Sequence, residues 1–422
     1  MSLSRQFWVV CHRWAGLTIA LFLAIAGFTG IFLAWINEIE GAISPHLFHV
    51  AAPYEGARPL PVDVLRSRVL ARYPGGEINY MPLRRGEGKS VFFGVERVDP
   101  ATGAQVPWSD DWDQLFVDPY TGKELGRRKW GDIGQGAVNL MPFIYRLHYS
   151  LALGEYGALA FGIAALIWTL DSFVGFYLTL PVRIRRVGAA PAGGPGWWRR
   201  WKPSWIVRWG SSSYKINFDL HRAGGLWIWP MLLVFAWSSV AFNLTPVYAP
   251  VMKLFGAVDT RAELPVLDKP DHHPALDTAA AIRRGAELAM TEMARRGLTA
   301  GRADAISYSP ENGAYTYSFT SGRDFTEEGG RSSVAFSARD GRLLQVDLPT
   351  GQNGANTFTN WIMALHMGMV FGLPYRIAVS LIGALVTMLS VTGVVIWMKK
   401  RSGRIGRKAR LPSQRARLQP VE

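Results

Sequence analysis

Four stretches of the chain are apolar over the length of a membrane-spanning helix. A hydrocarbon core of about 30 Å requires about 20 helical residues, and the four stretches occupy residues 15–36, 158–180, 223–244 and 377–398. The first is too long for a signal peptide, and no A-x-A cleavage pattern follows it. The pattern therefore predicts four retained transmembrane helices, of which the third is expected to kink at Pro230.

The polar segments between these stretches predict two α+β regions. Helical periodicity covers residues 61–72 and 277–296. Strand-like runs follow each helix, at residues 90–98, 114–118, 304–309, 314–320 and 332–337. Hairpin signals at residues 118–122 and 339–341 indicate that these strands pair in antiparallel sheets.

The two halves of the chain resemble each other around four histidines. The motif HRWAGL begins at His12 and the motif HRAGGL begins at His221, each at the start of an apolar stretch. RLHY contains His148 and ALHM contains His366, each ahead of the next stretch. Glycines follow at matched offsets from the second pair of histidines, namely Gly154, Gly175, Gly372 and Gly393. This recurrence predicts a parallel duplication.

The net charge of +14 reports membrane orientation. Residues 181–218 hold eight basic residues and no acidic one, and the tail from residue 399 holds nine basic residues and one acidic one. The segments 37–140 and 246–356 each hold 12 basic and 14 acidic residues. The positive-inside rule then predicts a multi-pass protein of the bacterial inner membrane, with both termini cytoplasmic and the two long segments periplasmic. Contacts of the basic residues with membrane lipid are favoured over binding to nucleic acid.

The predicted fold is an α-helical membrane protein with four transmembrane helices in two repeated halves and two periplasmic α+β domains. Gly and Pro at residues 154–157 and 372–375 predict a break in each half, so that a short interfacial helix precedes the second and the fourth span. The predicted parts are residues 8–37 (helix 1), 38–140 (domain 1), 141–157 (interfacial helix), 158–181 (helix 2), 182–215 (cytoplasmic loop), 216–245 (helix 3), 246–356 (domain 2), 357–374 (interfacial helix), 375–398 (helix 4) and 399–422 (basic tail).

The four histidines predict two haem sites. Two imidazoles that meet across a helix bundle are the ligand set of a six-coordinate haem iron. Depth in the membrane pairs His12 with His221 near the cytoplasmic face and His148 with His366 near the outer face. Small residues near them leave room for a flat macrocycle, namely Gly16, Gly225, Gly154, Gly368 and Gly372. Zinc is disfavoured because each level offers two nitrogen ligands and the chain has one Cys; structural, hydrogen-bonded histidines are the remaining alternative.

Charged residues near these histidines each fit two roles. Asp219 fits a hydrogen bond to the imidazole of His221 or a helix cap. Asp171, inside the second span, fits a proton or quinone site or a bond to a polar group of a neighbouring helix, and we favour the second. Four arginines fit haem propionates or interfacial snorkelling; they are Arg13, Arg222, Arg146 and Arg376. Four further histidines are interpreted as surface residues: His46, His49, His272 and His273.

These motifs resemble the PepSY-associated transmembrane family, also described as iron-regulated membrane proteins. The resemblance covers nearly the whole chain before the basic tail, and it rests on HRWAGL at 12–17, Leu147-His148, Leu220-His221-Arg222, Leu365-His366, Gly175, Gly393 and the hairpin at 118–123. It implies four inner-membrane helices and two periplasmic PepSY domains. Some members are similar to ferric-siderophore reductases with two b-type haems in the membrane. The resemblance thus implies haem ligation by the four histidines and reduction of a ferric siderophore with release of Fe(II). Asp171 departs from the small or apolar residue expected there and receives no role from the family.

The electron donor and the alternative function follow from what the sequence contains. It has no G-x-G-x-x-G fingerprint, so electrons are expected from a separate cytoplasmic flavoprotein or from the quinol pool. The basic loop at 181–218 fits docking of an acidic flavoprotein or contact with lipid. The alternative function is a membrane-anchored PepSY sensor or peptidase-regulating protein without redox activity. A transporter is disfavoured because four spans with large outward insertions offer little for alternating access.

Overall fold

The computed structural model describes residues 4–84, 86–182, 196–258, 264–327 and 329–416, with side chains up to residue 402. Arg183, Arg185 and Arg186 of the predicted basic loop, and the end of the predicted tail, lie outside the described residues. The chain divides into two compact units. We call them the membrane unit (Met1–Ala34, Leu147–Tyr248 and Ile377–Glu422) and the sheet unit (Trp35–Arg146 and Ala249–Arg376).

The described residues are about half helical. In chain order the α-helices are α1 (Arg5–Leu33), α2 (Ile36–Ile43), α3 (Pro45–Phe48), α4 (Val62–Leu70), α5 (Leu140–Ser150), α6 (Gly154–Thr179), α7 (Trp197–Trp201), α8 (Ser213–Trp227), α9 (Trp229–Asn243), α10 (Thr245–Leu254), α11 (Thr278–Arg295), α12 (Gly354–His366) and α13 (Gly372–Ala416). The strands are β1 (Tyr80–Pro82), β2 (Val91–Phe93), β3 (Glu96–Val98), β4 (Gln105–Pro107), β5 (Gln114–Val117), β6 (Glu124–Arg128), β7 (Ala300–Ser309), β8 (Ala314–Ser321), β9 (Ser332–Ser337) and β10 (Leu343–Asp347).

The membrane unit contains helices long enough to cross a bilayer. Within the described ranges, three helices are long and apolar enough, Arg5–Leu33, Gly154–Thr179 and Gly372–Ser402. A fourth span results if the bent pair α8 and α9 counts as one. The two helices of this pair meet at an angle of 72°. The break falls at Ile228, next to the predicted kink, because Pro230 is the second residue of α9 and cannot continue a helix from α8.

Short helices precede two of these spans. α5 ends at Ser150 and α6 begins at Gly154, so the break lies just before the predicted 154–157 segment. Leu151 and Ala152 in this break have φ of 51° and 56°, a region that residues with a Cβ seldom adopt. α12 ends at His366 and α13 begins at Gly372, so this break also lies just before the predicted 372–375 segment.

The sheet unit joins the two segments that the sequence predicts as separate domains. Strand β1 of the first segment pairs with β7 of the second, giving a five-stranded antiparallel sheet in the order β1-β7-β8-β9-β10. The first segment also forms the sheets β2-β5-β6 and β3-β4. Helices α4 and α11 contribute Leu65 and Met293 to one hydrophobic core that contains residues of both segments. The predicted run 90–98 is split into β2 and β3, which belong to different sheets.

The two predicted hairpin turns are present. Between β5 and β6, the Asp118 carboxylate accepts hydrogen bonds from the backbone N–H of Tyr120 at 2.7 Å and from the hydroxyl of Thr121 at 2.8 Å. Gly122 completes this turn with a φ of 70°, where a side chain would be strained. Gly341, between β9 and β10, has a φ of 71°, where a side chain would likewise be strained.

Candidate functional site

His12 of α1 is hydrogen-bonded to Asp171 of α6 inside the membrane unit. Its Nδ1 lies 3.0 Å from both carboxylate oxygens of Asp171. Because a carboxylate only accepts hydrogen bonds, Nδ1 carries the proton and Nε2 keeps its lone pair in the neutral ring. The Asp171 side chain is only 10% exposed. The interpretation of Asp171 as a partner of a polar group on a neighbouring helix is therefore confirmed.

His221 of α8 makes a corresponding contact with α13. Its Nδ1 lies 3.0 Å from the backbone carbonyl oxygen of Leu389 and 3.2 Å from the hydroxyl of Thr392. A carbonyl oxygen only accepts hydrogen bonds, so the proton of His221 is also on Nδ1 and its Nε2 is also the nitrogen with the lone pair. The two histidines thus share one tautomer.

The rings of His12 and His221 are neighbours. Their centroids are 6.1 Å apart and their planes are inclined by 59°. Depth in the membrane predicts this pairing from the sequence, and the structure brings the two residues together. The pair offers two Nε2 atoms as potential metal ligands, one from α1 and one from α8. A hydrogen bond from Nδ1 fixes the orientation of each ring.

Glycines lie against both rings at equivalent positions of the two halves. A Cβ on Gly175 would lie 3.3 Å from Cε1 of His12, and a Cβ on Gly393 would lie 3.2 Å from Cε1 of His221. Both distances are shorter than an ordinary van der Waals contact, so a side chain at either place would press on the imidazole. A Cβ on Gly16, by contrast, would meet no described atom within 4 Å.

Arg13 and Arg222 directly follow the two histidines. Among the described residues, neither buried Nε has a hydrogen-bond partner. The guanidinium of Arg13 lies over the ring of Trp14, 5.5 Å from its centroid. Nη2 of Arg222 donates to Oδ1 of Asp219 at 3.0 Å. Each arginine therefore has one buried N–H group whose hydrogen bond is not satisfied by the described residues.

Both sequence interpretations of Asp219 are wrong. Its fully buried carboxylate accepts hydrogen bonds from Nε and Nη2 of Arg208 at 2.7 Å and 2.8 Å, in addition to the bond from Arg222. It lies in the interior of α8 and so does not cap that helix. Asp219 does not orient His221 because two guanidinium groups satisfy its charge, and a bidentate arginine is a stronger partner than a neutral imidazole.

His148 lies near the end of α5 and packs against α1. Its Nδ1 is 2.9 Å from the hydroxyl of Thr29, which itself donates to the carbonyl oxygen of Ile25 at 2.6 Å. The hydroxyl must then accept the bond from His148, which places the proton on Nδ1 again. A Cβ on Gly30 would lie 3.3 Å from Cε1 of His148. This His and Gly contact has the same form as the two described above.

His366 belongs to the sheet unit and is the last residue of α12. In the same unit the hydroxyl of Tyr375 donates to the carbonyl oxygen of Leu365 at 2.9 Å, which ties the start of α13 to the end of α12. Gly368 lies between these helices and Gly372 is the first residue of α13, with φ of 70° and 59°. Because His148 belongs to the membrane unit, the pairing of His148 with His366 stays a prediction of the sequence.

The other two candidate arginines have partners in the sheet unit. Nη1 of Arg146 donates to the carbonyl oxygen of Gly131 at 3.1 Å. Arg376 pairs with Glu38 at 2.8 Å and lies over the ring of Trp35, 4.5 Å from its centroid. Of the four candidate arginines, Arg13 and Arg222 are therefore the two with a buried Nε that has no hydrogen-bond partner among the described residues.

Some contacts of the histidines lie outside what the sequence predicts. Thr29 is hydrogen-bonded to His148 and Thr392 to His221. In the sequence, a hydroxyl group inside an apolar span is the one feature that could have indicated these two residues. His272, interpreted as a surface residue, has a side chain only 16% exposed, and its Nδ1 pairs with Glu77 at 3.0 Å. His46 and His49 are exposed, as predicted.

Comparison with known proteins assigns the chain to a family. A search of curated proteins found no match to this chain. The family model described as PepSY-associated TM region matches residues 9–400, which include all four histidines, Gly175 and Gly393, the sheet unit and most of the membrane unit. The match covers far more than half of the chain, and it agrees with the membrane-spanning helices described above. The chain belongs to the PepSY-associated TM region family.

Proposed function

We propose that this chain is a haem-containing oxidoreductase of the bacterial inner membrane that passes electrons across the membrane to periplasmic ferric siderophores. His12 and His221 would bind the iron of one b-type haem through Nε2. His148 and His366 stay the sequence-predicted ligands of a second b-type haem. In this proposal both termini are cytoplasmic, the sheet unit is periplasmic, and membrane lipid surrounds the helices.

One observation carries the proposal, the arrangement of His12 and His221. Metal–imidazole bonds are about 2 Å long, so two imidazoles on opposite sides of one iron have ring centres roughly 6 Å apart. The observed separation of the centroids is 6.1 Å. The Nδ1–H groups of both histidines donate hydrogen bonds. The lone pair of each Nε2 is therefore the one that can bind a metal. Histidine ligands in metal sites use this second hydrogen bond to fix the tautomer and the ring orientation.

Further features of this site agree with a flat, acidic cofactor. Gly175 and Gly393 leave room beside the two rings, because a Cβ at either position would lie within 3.3 Å of an imidazole. The buried Nε atoms of Arg13 and Arg222 suit the propionates of a haem, because guanidinium groups bind carboxylates through charge-assisted hydrogen bonds. When bound, the haem supplies reversible one-electron chemistry, and the protein sets its potential by ligation and burial.

The substrate and the donor are proposed from the family resemblance and the charge distribution. A ferric siderophore on the periplasmic side takes up one electron for each iron, which then leaves as Fe(II). The electron comes from a cytoplasmic flavoprotein or from the quinol pool. The exposed basic residues of the described loop, including Arg199 and Lys202, suit the docking of an acidic flavoprotein as well as contact with lipid headgroups.

An absorption spectrum of the protein purified in detergent tests the haem. We expect sharp, split α and β bands after reduction with dithionite, and a ratio of two haems to one chain by pyridine haemochrome assay. A colourless preparation that stays colourless after incubation with haemin would contradict the proposal. It would favour the membrane-anchored PepSY sensor, in which the histidines are structural.

Histidine variants test the ligands. His12→Ala and His221→Ala should each remove the same haem and leave the other one, while His148→Ala and His366→Ala should each remove the second. His49→Ala, at an exposed position of the sheet unit, is the matched control and should retain both. Loss of both haems from any one of the four ligand variants would argue against two independent sites.

A reduction assay tests the substrate. The protein, reduced by dithionite and freed from excess reductant, is mixed with a panel of ferric siderophores under anaerobic conditions. Reoxidation of the haem bands together with formation of a ferrous–ferrozine complex is the expected result. If the haem bands stay reduced with every chelate, the protein carries electrons to another acceptor.

A further inference from the structure

The two histidines of the α1 and α8 pair have chemically different partners at equivalent positions. Asp171 lies four residues before Gly175, and Leu389 lies four residues before Gly393. His12 therefore donates to a carboxylate and His221 donates to a neutral backbone carbonyl, both at 3.0 Å. The duplicated fold thus supplies one charged and one neutral partner for two otherwise matched rings.

The carboxylate of Asp171 has an unusual environment for a charged group. It lies within a membrane-spanning helix with a side chain only 10% exposed. In the described part of the chain, it accepts a hydrogen bond from the neutral imidazole of His12, and no Lys or Arg lies within ion-pair distance of it. A buried carboxylate without a cationic partner is costly. A positive centre bonded to the far nitrogen of His12 would offset this cost.

A carboxylate changes what the imidazole does to a metal. The hydrogen bond from Nδ1–H to a carboxylate raises the basicity of Nε2, whereas a neutral carbonyl does so less. A more basic ligand and a nearby negative charge both stabilise oxidised iron over reduced iron. The partner of Nδ1 is therefore a means of setting a reduction potential without changing the ligand.

We propose that Asp171 is a positioning residue that, through its hydrogen bond to His12, lowers the reduction potential of the haem bound by His12 and His221. This inference rests on the proposed function. A lower potential makes this haem a stronger reductant toward the next carrier. It also gives Asp171 a role that the family resemblance does not assign.

A redox titration of the holoprotein, followed by visible spectroscopy, tests the inference on the haem that His12→Ala removes. Asp171→Asn keeps an acceptor for Nδ1–H but removes the charge. We expect it to retain both haems and to shift the equilibrium constant for reduction of this haem at least tenfold toward the reduced form, which is 59 mV for a one-electron couple. Thr392→Val, which removes a neutral hydroxyl beside His221, is the matched control, with an expected shift below threefold.

A second variant covers the case in which Asp171→Asn loses the haem. Asp171→Glu keeps the charge, and rescue of haem binding by Glu would support a requirement for the carboxylate.

An unchanged potential in Asp171→Asn with full haem content, or a loss of haem that Glu does not rescue, would overturn the inference. The electron paramagnetic resonance spectrum of the oxidised protein gives an independent reading, since a weaker ligand field at His12 should shift the low-spin signal in Asp171→Asn alone. A colourless wild-type protein would overturn the proposed function itself, and the two failures are thus distinguishable.

Discussion

Gly27 of α1 and Gly383 of α13 bring the backbones of two membrane helices into direct contact. A Cβ on Gly27 would lie 2.7 Å from the carbonyl oxygen of Gly383, and a Cβ on Gly383 would lie 2.7 Å from the carbonyl oxygen of Gly27. Lipid tails are as apolar as the side chains of the helices, so the hydrophobic effect does not drive helices together in lipid. Helices associate there through close van der Waals packing, which small residues permit. This contact joins α1, which carries His12, to α13, whose Leu389 carbonyl accepts the hydrogen bond from His221.

Alanine at either of these glycines is expected to destabilise the membrane unit. The backbone of α13 must move to admit a methyl group, and overpacking of this kind costs about 1–3 kcal/mol. Thermal unfolding of Gly27→Ala and Gly383→Ala in detergent should show lower midpoints than the wild type. Gly16→Ala, on the same helix but with open space around its Cβ, should be neutral or slightly stabilising. Equal midpoints for all three variants would show that α1 and α13 are not in close contact.

Side chains in place of Gly175 and Gly393 are expected to displace the imidazoles without unfolding the helices. A Val at Gly175 would occupy space within 3.3 Å of the His12 ring, and a Val at Gly393 would do the same to His221. Each variant should lose the haem of this pair, so that the pyridine haemochrome assay falls by half. Gly210→Ala, where a Cβ meets no described atom within 4 Å, is the control. Full haem content in both valine variants would mean that the rings have room to move and that the glycines do not position them.

The apolar spans, strands such as β8 and β9, and the His12–His221 pair could be predicted from the sequence because each has a local signal. Apolar runs mark the spans, alternation marks strands such as β8 and β9, and the repeated HR motif with its position in the membrane pairs the two histidines. The depth of a residue in a bilayer follows from its position along an apolar span, and that position can be read directly from the sequence.

The joined sheet and the partner of Asp219 could not be predicted in this way. Strand β1 has only three residues, and its partner β7 begins more than 200 residues later, so no local pattern indicates the pairing. Asp219 is satisfied by Arg208, whose position depends on the fold of the loop before α8. In both cases the deciding contact joins segments whose approach is set by tertiary structure and not by periodicity.

Removal of the Arg128 charge is expected to destabilise the sheet unit strongly. Arg128 is 4% exposed, donates to Oε1 of Glu40 at 2.6 Å and to Oε1 of Gln114 at 2.8 Å, and lies against the ring of Phe116. Arg128→Met leaves Glu40 buried without its partner, which costs about 3–5 kcal/mol. Chemical denaturation of the full chain, followed by tryptophan fluorescence, measures this loss.

The neighbouring arginine supplies the control for this ion pair. Arg127 pairs with Glu124 at the surface, with a side chain 43% exposed, so Arg127→Met should cost no more than about 1 kcal/mol. The double variant Arg128→Met with Glu40→Leu should recover most of the stability, because no buried charge is left unpaired. If the double variant is as unstable as the sum of the two single variants, packing around Arg128 and not charge is responsible.

Acid is expected to weaken the contact between Glu292 and the end of α11. Glu292 is 5% exposed, and hydrogen bonds from Arg296 and Arg295 hold the pKa of its carboxyl below the ordinary value of 4.5. The unfolded chain takes up the proton at the ordinary value and the folded chain only at lower pH. The stabilisation is therefore fully present above pH 4.5 and is lost as the pH falls through the folded-state pKa. Because both arginines are partly exposed, each pair contributes ~0.2–1 kcal/mol.

Thermal unfolding of the full chain at pH 7 and at decreasing pH below 4.5 tests this dependence. The wild type should lose more stability over that range than Glu292→Gln, which keeps a hydrogen-bond acceptor for the arginines but cannot titrate. Glu287→Gln is the matched control, because Glu287 lies on the same helix with a side chain 61% exposed, and it should follow the wild type. If Glu292→Gln and the wild type lose the same stability in acid, the acid sensitivity of the protein arises from other carboxyl groups and the carboxylate of Glu292 contributes no pH-dependent stability.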